Sequence, residues 1–531
     1  MGSMGGRKLV DKERGYFNGV KELAIIAAMF SMSVHAESFV LLGSTDFNGS
    51  DNKTDGAYAV HVDTNGYIVV AGFEWSTSAM AKWRIRKYDA SLGTLVASTD
   101  YVSPAMGPSN MVSAIAVNSS GSYYFAGCDN LTGGYEDWRI RKYDASLGTL
   151  LASTGYSSPG DKRDYAYSVV VDSAGYVYVS GTSLDLFEGR VRKYDANLGA
   201  LICSTDYHAG HITSSCIDGA GNLIVAGSIS SPIPGDRDFC VRKYNSSLNV
   251  LIASTAYAGP ASNMNEAFSV AIDGSGNIFV AGKEFGVGGN DDWCIRKYDS
   301  GLGNLLASTT YSGADNRNDY AYSIAITAGG DVVVGGLIDN NPGVGGDWCI
   351  RKYNASLSAL LATTVYNGPG MKSDDCMALA MTGDGSLVAV GREFNSIATS
   401  YNWRINKYGF DVLAPAPPGS STVVFHASNL LALTGKGAAL DKNIFSPTKG
   451  EYVLVRINPD PGKPARKVNA NVFTASGLLV KELNDGIFME GGLWIIKWDG
   501  TSKAGSAVSR GVYLIRVTGA GIKEVLKVVV K

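Results

Sequence analysis

Between residues 39 and 408 apolar and polar positions alternate in short runs, broken by turns rich in glycine and aspartate. That is the period of half-buried β-strands, and helical periodicity is confined to the N-terminal segment. The runs fall into four recurring types: Tyr167-Ser-Val-Val-Val-Asp172, Tyr176-Val-Tyr-Val-Ser-Gly181, Trp138-Arg-Ile-Arg-Lys-Tyr143 and Leu150-Leu-Ala-Ser-Thr-Gly-Tyr156. The third type returns with cores at Arg86, Arg141, Arg192, Arg242, Arg296 and Arg351, and again as Asn406-Lys-Tyr408, at spacings of 55, 51, 50, 54, 55 and 55 residues. Four strands per repeat at this period predict one propeller blade per repeat.

Two glycine series punctuate the repeat. Gly175 and its equivalents fall between the first two strands, where a tight hairpin needs positive φ. Six residues later Gly181 and its equivalents fall late in the second strand, which predicts a close backbone approach or a bulge. The last repeat lacks a Leu-Ala-Ser-Thr strand after Tyr408, whereas Val40-Leu-Leu-Gly-Ser-Thr-Asp-Phe47 precedes the first complete unit. The N-terminal strand is therefore expected to complete the seventh blade and leave no open edge. The predicted fold class is all-β: a seven-bladed β-propeller over residues 37–411, closed by its N-terminal strand and followed by an Ig-like β-sandwich.

Pro415-Ala-Pro-Pro-Gly-Ser-Ser421 marks a stiff linker over 412–422. Beyond it, over 423–531, Tyr452-Val-Leu-Val-Arg-Ile457, Val468-Asn-Ala-Asn-Val-Phe473 and Leu493-Trp-Ile-Ile-Lys-Trp498 read as strands of a sandwich. At the other end Arg7, Lys8 and Lys21 precede an apolar run from Leu23 to Val34, and Val34-His-Ala36 has the form of a cleavage site. Residues 1–36 read as an export signal too short to remain as a transmembrane anchor. The protein is expected at the cell surface or secreted.

Composition narrows the partners. A net charge of −3 in 531 residues gives no basic surplus for nucleic acid. The seven cysteines are scattered. Cys240, Cys294 and Cys349 share one repeat position, too far apart between neighbouring blades for bridging, and read as small buried residues.

The repeat resembles the SBBP family of β-propeller repeats through Asp172 to Gly175, Gly181 and Asp137 to Lys142, over about residues 39–408. Trp or Phe stands at most positions where that family carries Ala. The resemblance implies a propeller and export, with no defined chemistry. Asn443-Ile-Phe-Ser-Pro447, Trp498-Asp-Gly500, Gly505 and Gly511-Val-Tyr513 resemble the FlgD-type immunoglobulin-like domain and type IX sorting domains, which implies export, attachment or spacing.

Candidate chemistry lies where the repeats disagree. The loops after each second and fourth strand vary, and binding residues concentrate on variable loops of rigid scaffolds. Two positions past the second glycine, Glu74, Asp129, Glu284 and Glu393 are expected around a central funnel, able to hold a cation or basic ligand unless neighbours such as Lys283 and Arg392 neutralise them. Asp51 and Asp55, Asp161 and Asp164, Asp315 and Asp319, and Asp374 and Asp375 precede first strands. Calcium is one reading of them, but their spacing is not that of an EF-hand, and solvated turn residues are the preferred one. His208 and His211, lacking a third ligand, read as surface residues rather than a zinc site. The Arg141 series is expected to pair between blades with the Asp172 series, and the Trp138 series to form core.

No Gly-x-Ser-x-Gly, His-Glu-x-x-His or P-loop motif occurs. The leading expectation is a monomeric binding scaffold for an extracellular protein or glycan, with no cofactor. The alternatives are a polysaccharide hydrolase or lyase using Glu284 and Glu393 as acid and base, and a structural envelope component.

Overall fold

The computed structural model describes residues 37–412, apart from 50, 78–79, 106–108, 131–133, 209, 234, 262, 314–316, 340–344, 369–371 and 396–399. Beyond them it describes 425–427, 431–436, 444–447, 452–457, 469–474, 478–483, 487–490, 493–519 and 522–530. The expected export signal at 1–36 and nearly all of the expected linker lie outside the described residues.

Residues 37–412 form seven four-stranded antiparallel sheets. Sheets 1 to 6 are consecutive, from Asp55–Val62 through Leu95–Tyr101 in sheet 1 to Tyr320–Ile326 through Leu360–Tyr366 in sheet 6. Sheet 7 contains Asp375–Met381, Leu387–Asn395, Ser400–Val412 and, as its fourth strand, Glu37–Phe47. That strand pairs antiparallel with the third, from Glu37 opposite Val412 to Phe47 opposite Trp403. The first strands of neighbouring sheets lie side by side, and the first strand of sheet 1 meets that of sheet 7.

Gly66, Gly175 and Gly385, in the hairpins between first and second strands, adopt φ of 81°, 89° and 81°. The second glycine series serves both expected purposes. Every first strand carries a β-bulge, for example between Ala166 and Ser168 opposite Gly181. The bulge drives a first-strand carbonyl towards the glycine, where a Cβ on Gly127 or Gly336 would sit 2.0 Å from Met111 O or 1.8 Å from Tyr320 O. No side chain fits there.

The core lies in the seams between sheets. Trp83, Trp138, Trp293, Trp348 and Trp403 are fully buried. Trp83 donates through Nε1 to Cys128 O of the next sheet at 2.9 Å, Trp293 to Leu337 O at 2.8 Å, and Trp403 of sheet 7 to Phe73 O of sheet 1 at 2.9 Å. The cysteines are free, with Cys240, Cys294 and Cys349 buried as expected.

The charged repeat residues correct one expectation. The arginines do not pair with the Asp172 series. Arg141, Arg296 and Arg351 lie over Tyr101, Tyr257 and Tyr311 of the preceding sheet, at 4.0, 3.6 and 3.7 Å from the ring centroids, while their Nε atoms donate to Tyr143, Tyr298 and Tyr353. A guanidinium sits well in such a seam because it is weakly hydrated and stacks on aromatic faces. The lysine one position later, on the opposite face of the strand, takes the aspartate. Lys243 Nζ lies 2.8 Å from Asp218 and donates to Ser300 O of the next sheet at 2.7 Å. Equivalent bonds run from Lys87 to Ala145 O, Lys142 to Ala196 O, Lys193 to Ser246 O, Lys297 to Ala355 O and Lys407 to Ala90 O. Sheet 7 offers no such loop, and Lys352 bonds Glu37 of the N-terminal strand instead.

Beyond the linker, the described strands form two five-stranded sheets. Ile444–Phe445 pairs parallel with Val529–Val530, while the other pairings are antiparallel. Trp498 is buried, donates to Thr501 O at 3.0 Å and meets Tyr513 edge-on.

Candidate functional site

The hairpins between first and second strands and the connections between third and fourth strands share one end of the sheets, where the lysines tie them together. The loops that vary between repeats emerge at the other end, and buried acids organise them. Asp55 accepts from Gly49 N at 2.6 Å and Trp75 N at 2.9 Å, joining the loop before the first strand to the end of the second. Asp319 repeats this with Gly313 N and Asp339 N, and Asp374 with Gly368 N and Phe394 N. Asn110 and Asn265 hold the same position in sheets 2 and 5, accepting from Asn130 N and Phe285 N. Asp55, Asp164, Asp319 and Asp374 are all at 0% exposure and Asp375 is buried as well, so the reading of these five as solvated turn residues is corrected. A carboxyl suits the position because its two oxygens can accept from two loop N–H groups that water does not reach. Burial outweighs these bonds and pushes Asp55 up to about 7, and Asp319 and Asp374 up to about 6. Of their expected companions, Asp161 is exposed, and Asp315 lies outside the described residues.

Glu74, Asp129, Glu284 and Glu393 are all buried. Their partners lie on outer strands: Glu74 pairs with Arg84 and Lys82, Asp129 with Arg139 and Tyr101, and Glu393 with Tyr366 and Arg404. The hydrogen bond to Glu284 helps push the Tyr257 hydroxyl up, after burial itself. These carboxylates therefore occupy separate seams between sheets instead of converging on the axis. Glu284 and Glu393 stand two sheets apart. Lys283 and Arg392, expected to neutralise them, pair with Asp291 at 2.9 Å and with Asp375. Among the described residues no group of three His, Cys, Asp or Glu side chains is placed to hold a metal ion.

The axis is lined by residues that sequence reasoning passed over. Four of the seven bulged positions carry aromatics, Tyr58, Tyr167, Phe268 and Tyr322, all half-buried, and the other three carry Ser113, Thr213 and Met377. Phe268 and Tyr322, from neighbouring first strands, have ring centroids 5.5 Å apart, and Tyr167 meets His211 of the next first strand edge-on at 5.4 Å. Arg392 lies 6.0 Å from the Tyr58 ring. His211 Nδ1 is 2.5 Å from Glu266 Oε1, and its ring stacks on Phe187. His208 is exposed beside Glu188, but His211 is not the surface residue expected. Burial works to raise the Glu266 carboxyl, yet the bond with His211 and the nearby charges of Lys283 and Arg237 hold it below its ordinary value. Just beyond the bulges, Ser168, Ser214, Ser269 and Ser323 accept from Ser215 N, Val270 N, Ile324 N and Leu379 N, locking the first strands of sheets 3 to 7 one to the next. The recurrence of aromatics at the position opposite the second glycine was the available signal. It was missed because the one extra residue of a bulge redirects side chains that strict alternation assigns elsewhere.

The SBBP family, described as a β-propeller repeat, matches residues 160–188. No curated protein matches the chain. Among solved structures, the WD40 β-propeller domain of Doa1 is 13% identical with a TM-score of 0.43, covering 70% of this chain and 97% of that one. PorZ, a surface component of the type IX secretion system of Porphyromonas gingivalis, is 14% identical with a TM-score of 0.44, covering 91% of this chain and 60% of that one. Hydrazine synthase of Kuenenia stuttgartiensis is 11% identical with a TM-score of 0.45, covering 68% of this chain and 97% of that one. With its repeated four-stranded sheets and the matched repeat, the chain has a β-propeller fold.

Proposed function

We propose that this chain is an exported or surface-attached binding protein. Its propeller has seven blades, closed by the N-terminal strand, and recognises an extracellular protein or glycan through its variable end. The C-terminal region is an Ig-like sandwich serving export, attachment or spacing. Support for closure comes from Lys407 bonding Ala90 O, Trp403 bonding Phe73 O and Arg86 stacking on Phe47 at 4.4 Å, all between sheets 7 and 1.

The observation that carries the binding reading is the set of buried side chains at Asp55, Asn110, Asn265, Asp319 and Asp374, which fix variable loops to the rigid sheets. Loops held in one conformation lose less entropy when a partner docks. The test is capture of extracellular proteins and glycans by the intact chain, with the loop joints disrupted by Asp374→Ala as the comparison. Retained affinity in a folded variant would overturn the reading. Turnover of a captured glycan would replace it with catalysis. For the C-terminal region, removing residues 423–531 should abolish surface attachment or export, and an unchanged location would leave it a spacer.

A further inference from the structure

Four of the seven bulged positions of the first strands, in sheets 1, 3, 5 and 6, carry aromatic rings, and these line an interrupted arc. Three features of the arc bear on what it would hold. Its aromatic rings are half-buried, with Tyr167 backed by Tyr165 and Tyr322 by Tyr320 in stacked pairs. Among the described residues, the hydroxyls of Tyr167 and Tyr322 have no hydrogen-bond partner, and neither has the buried Nε2 of His211. Its charges are matched in place: Glu266 with His211, Asp375 with Arg392, and Asp291 with Lys283.

Matched charges leave no surplus to attract an ion or a polyanion. An apolar ligand would leave the tyrosine hydroxyls and the polar edge unpaired, which costs affinity. A neutral polyhydroxylated chain meets both needs, since its flat C–H faces lie on aromatic rings while its hydroxyls exchange hydrogen bonds with Tyr167, Tyr322 and the His211–Glu266 pair. We infer that the axial mouth lined by Tyr58, Tyr167, Phe268 and Tyr322 is a binding site for a neutral oligosaccharide. This rests on the binding reading above and adds the place and the ligand class.

The test is calorimetric titration of the full chain with neutral oligosaccharides of differing linkage, each derived from a glucan, a mannan or a xylan. Binding of at least one series is expected. Tyr167→Phe and Tyr322→Phe, which remove only a hydroxyl, should each weaken it by about three- to tenfold at an unchanged melting temperature. Val287→Ser, on an outer loop where the side chain is 87% exposed, should leave it unchanged. Binding that both tyrosine variants keep intact would place the ligand elsewhere, overturning the axial site while the binding reading stands. Capture of proteins with no affinity for any neutral oligosaccharide would overturn the ligand class. Absence of both kinds of binding would overturn the site and the binding reading together.

Discussion

Asp55, Asp319 and Asp374 give the protein an unusual pH response. Each has its carboxyl raised by burial, so between about pH 4 and pH 7 the folded chain holds protons that the unfolded chain releases. Stability contributed by the protonated form is present at low pH and declines as pH rises through the folded values of about 6 to 7. Asp374→Asn, which copies Asn110 and Asn265, should therefore flatten the fall in melting temperature between pH 4 and pH 7 by a few degrees. Equal slopes for both proteins in a thermal melt series would contradict this. At this scale the sequence was half legible. It placed the acids in the loops before first strands, but solvated and buried aspartates look alike in a turn-rich segment. Leu92, Leu147 and Leu357 show the same limit: they take φ of 63°, 63° and 57° just before a Gly or Ser, because their side chains are anchored in the core. Local propensity assigns such a conformation to glycine, and tertiary burial overrides it.

Within a sheet, the third strand divides its work by face. Arginine serves the seam with the preceding sheet, while lysine ties together the hairpin aspartate and a carbonyl of the next sheet. Breaking one tie leaves a partly buried carboxylate without its counter-charge. Lys243→Met should cost about 2–4 kcal/mol, less than the loss of a fully buried pair because Asn222 still bonds Asp218. Burial works to raise Asp218, but the bonds from Lys243 and Asn222 hold it below its ordinary value. Its stabilisation is therefore present above the unfolded carboxylate range and lost on acidification. The variant's deficit in urea unfolding should be largest at neutral pH and shrink towards pH 3. A deficit independent of pH would assign the loss to packing of the lysine stem. Alternation in the Arg-Lys-Tyr core predicted two faces correctly. It did not say which face meets the aspartates, because that depends on how neighbouring sheets stagger.

Across the whole chain, the strand Glu37–Phe47 joins two ends that are far apart in sequence. Removing it exposes the edge of Ser400–Val412, takes Glu37 from Lys352 and takes Phe47 from both Trp403 and Arg86. A chain lacking residues 37–47 should melt about ten degrees lower or aggregate through the open edge, read by calorimetry and size-exclusion chromatography. Unchanged melting and size would show that sheet 7 stands without its fourth strand.

The sequence by itself determined the number of repeats, the four strands of each and the source of the missing one, since strand periodicity, turn glycines and repeat spacing are local signals read along the chain. The tertiary structure decided the rest. It buried the loop aspartates and dispersed Glu74, Asp129, Glu284 and Glu393 among separate seams. It also gathered Tyr58, Tyr167, Phe268 and Tyr322 around the axis. Those outcomes follow from bulges, sheet stagger and contacts between residues some fifty or more positions apart. A single bulged residue reverses the face that alternation predicts, and the second glycine signals a bulge without saying which side chain it turns towards the axis.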